Sequence, residues 1–169
     1  LHSFPTRRSS DLLEEIKLSN YQKLLATAFQ DTYILPMSIA ENIAFREATS
    51  NVEEIKRCLK MAGLDGEFLD ETKPLTKMLF PDGIVPSGGQ EQKIILARVA
   101  FKLIYGNAQL LILDEPTAAM DAISEKNFYE KYISLAKNKS CILISHRLKS
   151  TSFCDSIIVM ENGKIIEKG

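Results

Sequence analysis

Two apolar tetrads flanking a helical stretch constrain this chain more than anything else in it. Leu110-Leu111-Ile112-Leu113 and Cys141-Ile142-Leu143-Ile144 are short, continuous and free of charge. That pattern suits parallel strands buried on both faces rather than half-exposed antiparallel ones. Residues 122–137 between them read as a helix. Strand, helix, strand at this spacing is a βαβ unit, so a parallel α/β core is expected.

Other segments carry their own start and stop signals. Ser38-x-x-Glu41 resembles a capping box and predicts a short helix running through Phe45. Thr49-Ser50-Asn51 precedes a second helix in which Val52, Ile55, Leu59 and Ala62 share one face, and Gly63 ends it. Pro74, Pro81, Gly83 and Pro86 break the span 65–86 into irregular structure. Gln90 to Ile104 has helical spacing, with Ile94, Ala97 and Phe101 as a stripe. At the C-terminal end, Ile157 to Met160, Asn162-Gly163 and Lys164 to Glu167 predict a hairpin. Glu15 to Gln30 mixes short apolar stretches with polar residues and ends in a loop.

Length and composition set the outer bounds. The chain has 169 residues, 45% hydrophobic and 25% charged, with a net charge of −1. These values fit one ordinary globular domain with a sizeable core. The charge gives no bulk attraction to nucleic acid or to an anionic membrane, so no nucleic-acid partner is expected. No apolar run is long enough to span a bilayer. Cys58 and Cys141 fall inside apolar patterns and read as small hydrophobes rather than disulfide partners. The first residues, His2 to Asp11, lack the apolar centre of a secretory signal. They read like a translated sequencing adapter, so the native protein is expected to begin near Leu12.

Two stretches carry chemistry. The strand 110–113 delivers Asp114-Glu115 at its carboxyl end, where open α/β sheets bind ligands. An acid there can help hold Mg²⁺ beside phosphates, and the next can orient or deprotonate a water. An Asp-Glu pair alone most often merely ends a strand. Four apolar residues before it and Pro116-Thr117 after it favour the functional reading. In Ser87-Gly88-Gly89-Gln90, two glycines let the backbone approach a ligand closely. They open a helix, whose N-terminus favours anions. A bare Ser-Gly-Gly is usually a turn with a good cap. Followed by Gln-x-Gln-Lys-x-x-x-Ala-Arg on a helix, it becomes specific.

With those residues the chain resembles the ATP-binding cassette (ABC) ATPases. Ser87 to Arg98 looks like their signature motif and helix, and Leu110 to Glu115 like the Walker B strand with its catalytic glutamate. Ala118-Ala119-Met120-Asp121 resembles the D-loop, Ser145-His146-Arg147-Leu148 the H-loop and Phe29-Gln30-Asp31 the Q-loop. The order and spacing agree from about Leu12 to Gly169. The exporter branch fits best, on His146-Arg147-Leu148, Gln30-Asp31, Ser38 to Ile43, and Asp82-Gly83-Ile84.

The resemblance implies a P-loop NTPase-like (RecA-like) parallel-sheet α/β core with a helical subdomain, incomplete at its N-terminus. Residues 12–30 and 106–169 would form parts of the core and 31–105 the helical subdomain, with 1–11 non-native. Function would be ATP hydrolysis coupled to transport, with ATP and Mg²⁺ as cofactors. Two cassettes would pack head to tail, and Ser87, Gly88, Gly89 and Gln90 would contact the partner's ATP. Asp114 would help place Mg²⁺, Glu115 would polarise the attacking water and His146 would contact the γ-phosphate. Gln30 would contact Mg²⁺ or water and relay nucleotide state to transmembrane domains. Asp121 would tie the two sites together, or serve only as the N-cap of the next helix. The location implied is the cytoplasmic face of the cell membrane.

Two departures stand out. These residues contain no Gly-x-x-x-x-Gly-Lys-Ser/Thr loop, and the only Gly-Lys pair, Gly163-Lys164, falls in a predicted turn. Without such a loop the triphosphate lacks its main backbone cradle, so the isolated chain is expected to bind ATP poorly. A truncated cassette explains this better than a pseudo-enzyme, because the downstream motifs are intact. Pro86 stands where most signatures have leucine, and proline cannot donate a backbone hydrogen bond. Two other readings remain: a soluble ABC-class ATPase, and a non-catalytic ABC-like interaction module.

Overall fold

The computed structural model describes residues 17–29, 31–45, 52–117 and 122–169. The expectations for residues 1–11, Gln30, Thr49-Ser50-Asn51 and Asp121 lie outside these residues. Five helices and five strands are described, in the order α1 (Leu18–Lys23), β1 (Leu25–Ala28), α2 (Ile39–Ala44), α3 (Val52–Met61), α4 (Gly88–Ile104), β2 (Leu110–Asp114), α5 (Ala122–Leu135), β3 (Ser140–Ile144), β4 (Ile158–Glu161) and β5 (Lys164–Lys168).

Strands β1, β2 and β3 form one sheet in that order, parallel throughout. Leu110 pairs with Leu25 on one side and Ser140 on the other, and Asp114 pairs with Ile144. The βαβ expectation for β2, α5 and β3 therefore holds. The expectation of burial on both faces holds only in part. Leu111 and Leu113 are fully buried, while Leu110 and Ile112 on the opposite face are half-buried. For β3 it fails: Ile142 is 49% and Ile144 47% exposed, and Cys141 is exposed too. An edge strand has one neighbour, and among the described residues only Leu143 of this run packs against the core.

Helix α4 is the centre of the molecule. Its stretch Ile94 to Phe101 is buried at every position, not along one stripe. The reason is that it packs at once on α2, α3, α5 and β1. Full burial of an apolar side chain of this size is worth about 1.5–3 kcal/mol. At its C-terminus, Lys139 Nζ donates to the carbonyls of Leu103 (3.0 Å) and Ala108 (2.5 Å), a cation at the negative end of the helix dipole.

The capping box of α2 is present. Ser38 N donates to Glu41 Oε2 at 2.9 Å, and Glu41 N to Ser38 Oγ at 3.2 Å. The Ser38 hydroxyl, which donates to Glu41 Oε2 at 2.7 Å, and then the Ser38 amide hold the Glu41 carboxyl below its ordinary value. Asn42 is fully buried and satisfied on several sides. It accepts from Leu35 N, donates to the carbonyls of Leu35, Met37 and Ser38, and meets Arg98. Arg98, itself 7% exposed, donates through Nε to the Asn42 carbonyl at 2.7 Å and lies 4.8 Å from the centre of the Phe45 ring. In α3, Ile55 and Leu59 face the core as expected, joined by Cys58, whose thiol burial pushes up to about 12. Gly63 ends the helix at φ +81°, where a side chain would be strained.

The span 65–86 is mostly irregular, though Gly66–Leu69 forms a 3₁₀ turn and Pro74 bridges to Ser38. The hairpin β4–β5 is present, with Asn162 and Gly163 both at positive φ, the conformation its tight turn requires. Its strands are exposed throughout.

Candidate functional site

Strand β2 brings Asp114 to its carboxyl end, and the backbone then turns sharply. Glu115 sits at φ +47°, a region that costs a non-glycine residue about 1–3 kcal/mol. Its amide still donates to the Ile144 carbonyl of β3 at 3.0 Å. The turn directs the carboxylate across to the loop that follows β3, where His146 Nε2 lies 3.0 Å from Glu115 Oε1. The two predicted catalytic residues thus meet at the ends of adjacent parallel strands. His146 is 91% exposed in its side chain and Glu115 26%.

Behind this pair lies a polar network centred on two buried side chains, Thr117 and Glu125. Thr117 Oγ1 donates to Glu125 Oε1 at 3.0 Å, and lies 3.2 Å from the Tyr129 hydroxyl. Glu125 Oε2 accepts from Arg147 Nη1 at 2.9 Å. Thr117 and Glu125 are 2% and 6% exposed. A buried carboxylate is costly unless paired and hydrogen-bonded, and both of these oxygens are engaged. A cavity of about 400 Å³ opens beyond Glu125, lined by Lys126, Tyr129, Lys149, Ser152 and Phe153 as well. Asp114, Glu115 and His146 do not line it, so it is not where the predicted chemistry is placed.

The other predicted binding residues lie at the head of α4. Ser87 is its N-cap: Gln90 N donates to Ser87 Oγ at 3.4 Å, and Ser87 N to Gln90 Oε1 at 2.8 Å. Gln90, predicted as a ligand contact, therefore also closes a capping box. Gly88 and Gly89 occupy the first two helical positions, are exposed, and have nothing within 4 Å of where a Cβ would stand. Glycine at the start of a helix weakens it, and nothing in the packing of the described residues asks for it. What it leaves is an open approach to backbone N–H groups at the positive end of the helix dipole. Gln92 Nε2 donates to the Pro116 carbonyl, linking this end of α4 to the loop that carries Glu115.

Among the described residues, no cluster of three or more His, Cys, Asp or Glu could cage a metal ion. A single carboxylate at a strand end suits a cation that completes its shell with phosphate oxygens and water, as Mg²⁺ does. Glu115 and His146 are thus in contact, with Asp114 preceding Glu115 at the end of β2, Ser87 to Gln90 form a separate surface, and Gln30 and Asp121 lie outside the described residues. Sequence reasoning missed Glu125 and Tyr129, and met Gln92 only as a member of the pattern that follows Ser87-Gly88-Gly89, not as a link to Pro116. A helical glutamate gives no sign in sequence that it is buried, and Gln92 differs from a solvated glutamine only by what it touches.

Comparison with known proteins places these features in context. The family model described as ABC transporter matches residues 6–118. The beta-(1→2)glucan export ATP-binding/permease protein NdvA of Bartonella quintana is 34% identical over 157 residues, 93% of this chain and 26% of that protein. The nisin transport ATP-binding protein NisT of Lactococcus lactis is 36% identical over 167 residues, 96% of this chain and 26% of that one. A bacterial Atm1-family ABC exporter solved with ATP bound superposes with a TM-score of 0.72 at 24% identity, over 89% of this chain and 26% of that chain. The last likeness is one of fold.

Proposed function

This chain belongs to the ABC transporter family, and from that premise we propose that it is the ATP-hydrolysing part of an exporter, coupling hydrolysis to transmembrane transport. The chain spans about a quarter of the length of the relatives above, so the activity of the whole protein is inferred and not read from it. The observation that carries the reading is the 3.0 Å contact of Glu115 with His146 at the ends of β2 and β3.

In this reading Glu115 accepts a hydrogen bond from the attacking water and draws off its proton, and His146 holds the phosphate end of the nucleotide in line. Asp114 holds Mg²⁺, which supplies charge neutralisation at the phosphates when bound. Ser87, Gly88, Gly89 and Gln90 serve the nucleotide of a second cassette through their hydroxyl and backbone N–H groups. Gln30 and Asp121 keep the roles the family resemblance implies. Residues 31–105 would act as the helical subdomain and 12–30 with 106–169 as core, with α4 of the former packing against β1 and α5 of the latter. Permease domains are the expected partners: the NdvA relative is named as an ATP-binding/permease protein. No described helix is long and apolar enough to cross a membrane. The cytoplasmic membrane face is the inferred location. The isolated chain, without a Gly-x-x-x-x-Gly-Lys-Ser/Thr run, is expected to bind ATP weakly.

The test is ATP turnover of the intact membrane protein carrying this chain. Glu115→Gln keeps the shape and removes the base. Turnover should fall about a hundredfold or more while ATP still binds. Turnover equal to that of the parent would favour a non-catalytic module instead.

A further inference from the structure

The contacts around Glu115 close on themselves. Backbone runs from Glu115 to Thr117, Thr117 Oγ1 reaches Glu125 Oε1 at 3.0 Å, and Glu125 Oε2 reaches Arg147 Nη1 at 2.9 Å. Arg147 follows His146 in sequence, and His146 returns to Glu115 at 3.0 Å. The members of this ring are not equal. The His146–Glu115 contact faces water, where such pairs are weak and screened. The Thr117 and Glu125 side chains are buried, and Glu125 accepts a charge-assisted bond from Arg147, whose side chain is 38% exposed, so this arm of the ring is anchored at its carboxylate.

Arg147 is also fixed at its backbone. Its amide donates to Ser145 Oγ at 3.0 Å, and its carbonyl accepts from Ser150 N at 3.1 Å and Ser150 Oγ at 2.6 Å. The residue before it, His146, is the exposed one. On the other side, Glu115 is held at positive φ, which a free loop would relax. The Glu115–His146 pair is therefore backed by contacts anchored on the buried Glu125 carboxylate.

We propose that Glu125 and Arg147 are positioning residues that set the Glu115–His146 separation and so govern the rate of hydrolysis rather than nucleotide affinity. The inference rests on the reading of Glu115 and His146 as the catalytic pair. Neither Glu125 nor Arg147 touches the reacting atoms. An error of about an ångström at the pair is enough to slow the step by about a hundredfold.

The experiment measures kcat, the ATP KM and the melting temperature of the intact membrane protein. Arg147→Met should lower kcat about thirtyfold and leave KM within about twofold. Arg147→Lys keeps a cation opposite Glu125 and should recover most of that loss. The double variant Glu125→Leu with Arg147→Met replaces the pair by apolar groups, a change that often preserves stability. It should melt like the parent yet remain slow. Parental turnover in the double variant would reduce the pair to a packing role and overturn the proposal. So would a loss carried by KM, or a lysine variant as slow as the methionine one. Glu115→Gln, run alongside, separates the two failures: if it leaves turnover intact, the catalytic reading itself falls.

Discussion

Glu125 is buried with both carboxylate oxygens engaged, whereas Gly88 and Gly89 face solvent with none of the described residues standing over them. The loop pair 115–117 and 145–147 is held by side chains from α5 and from its own ends. Among the described residues, the head of α4 is tied by its capping box, by Gln92 to Pro116 and by Lys93 to the Gly63 carbonyl. One surface is prepared by packing and the other by its absence. A group that must act at a fixed distance needs support behind it. A surface that receives a ligand from outside needs room and unspent backbone N–H groups.

Substitutions can break this contrast. The largest effect is expected for Glu125→Ala, which removes the acceptor of Thr117 and Arg147 and should lower stability by about 1.5–3 kcal/mol, read from a denaturant melt. Gly89→Val should do the reverse. Its Cβ meets nothing among the described residues, so stability should stay within about 1 kcal/mol. Turnover of the assembled protein should nevertheless fall about tenfold, because the added branches obstruct the approach to the helix end. Unchanged turnover there would remove the case for a binding role. Ser87→Ala removes the cap and should cost about 1 kcal/mol, with a matching fall in melting temperature. The smallest effect concerns Glu41. Its folded carboxyl is held below the ordinary 4.5, so its contribution is present above that value and is lost as pH falls through the lower folded one. An NMR titration of Glu41 at 4.5 or above would remove the capping-box contribution inferred for α2.

How much of this could be read beforehand depended on whether a residue announces its own surroundings. Ser38 and Glu41 did so by spacing, Asn162-Gly163 by turn chemistry, and Leu110 to Glu115 by an apolar run ended with acids. Strand β1, Leu-Ala-Thr-Ala, did not, because four small or mixed residues carry no period. The openness of β3 was invisible too: Cys141 to Ile144 reads as core, and only its place at the sheet edge decides otherwise. Of the site, Asp114, Glu115, His146 and the head of α4 were legible. Glu125 and Gln92 were not, since their significance lies in partners far away in sequence.

The Asn42–Arg98 contact has a mechanical consequence. Asn42 grips Leu35 and Met37 on one side and Arg98 on the other, so the segment after position 30, α2 and α4 share one clamp. Arg98 lies ten residues into a continuous 17-residue helix, about 15 Å from its head. On such a lever, a tilt of about 4° applied at the clamp sweeps Ser87 through about 1 Å. A disturbance too small to notice at Leu35 is thus magnified into one the other end can feel.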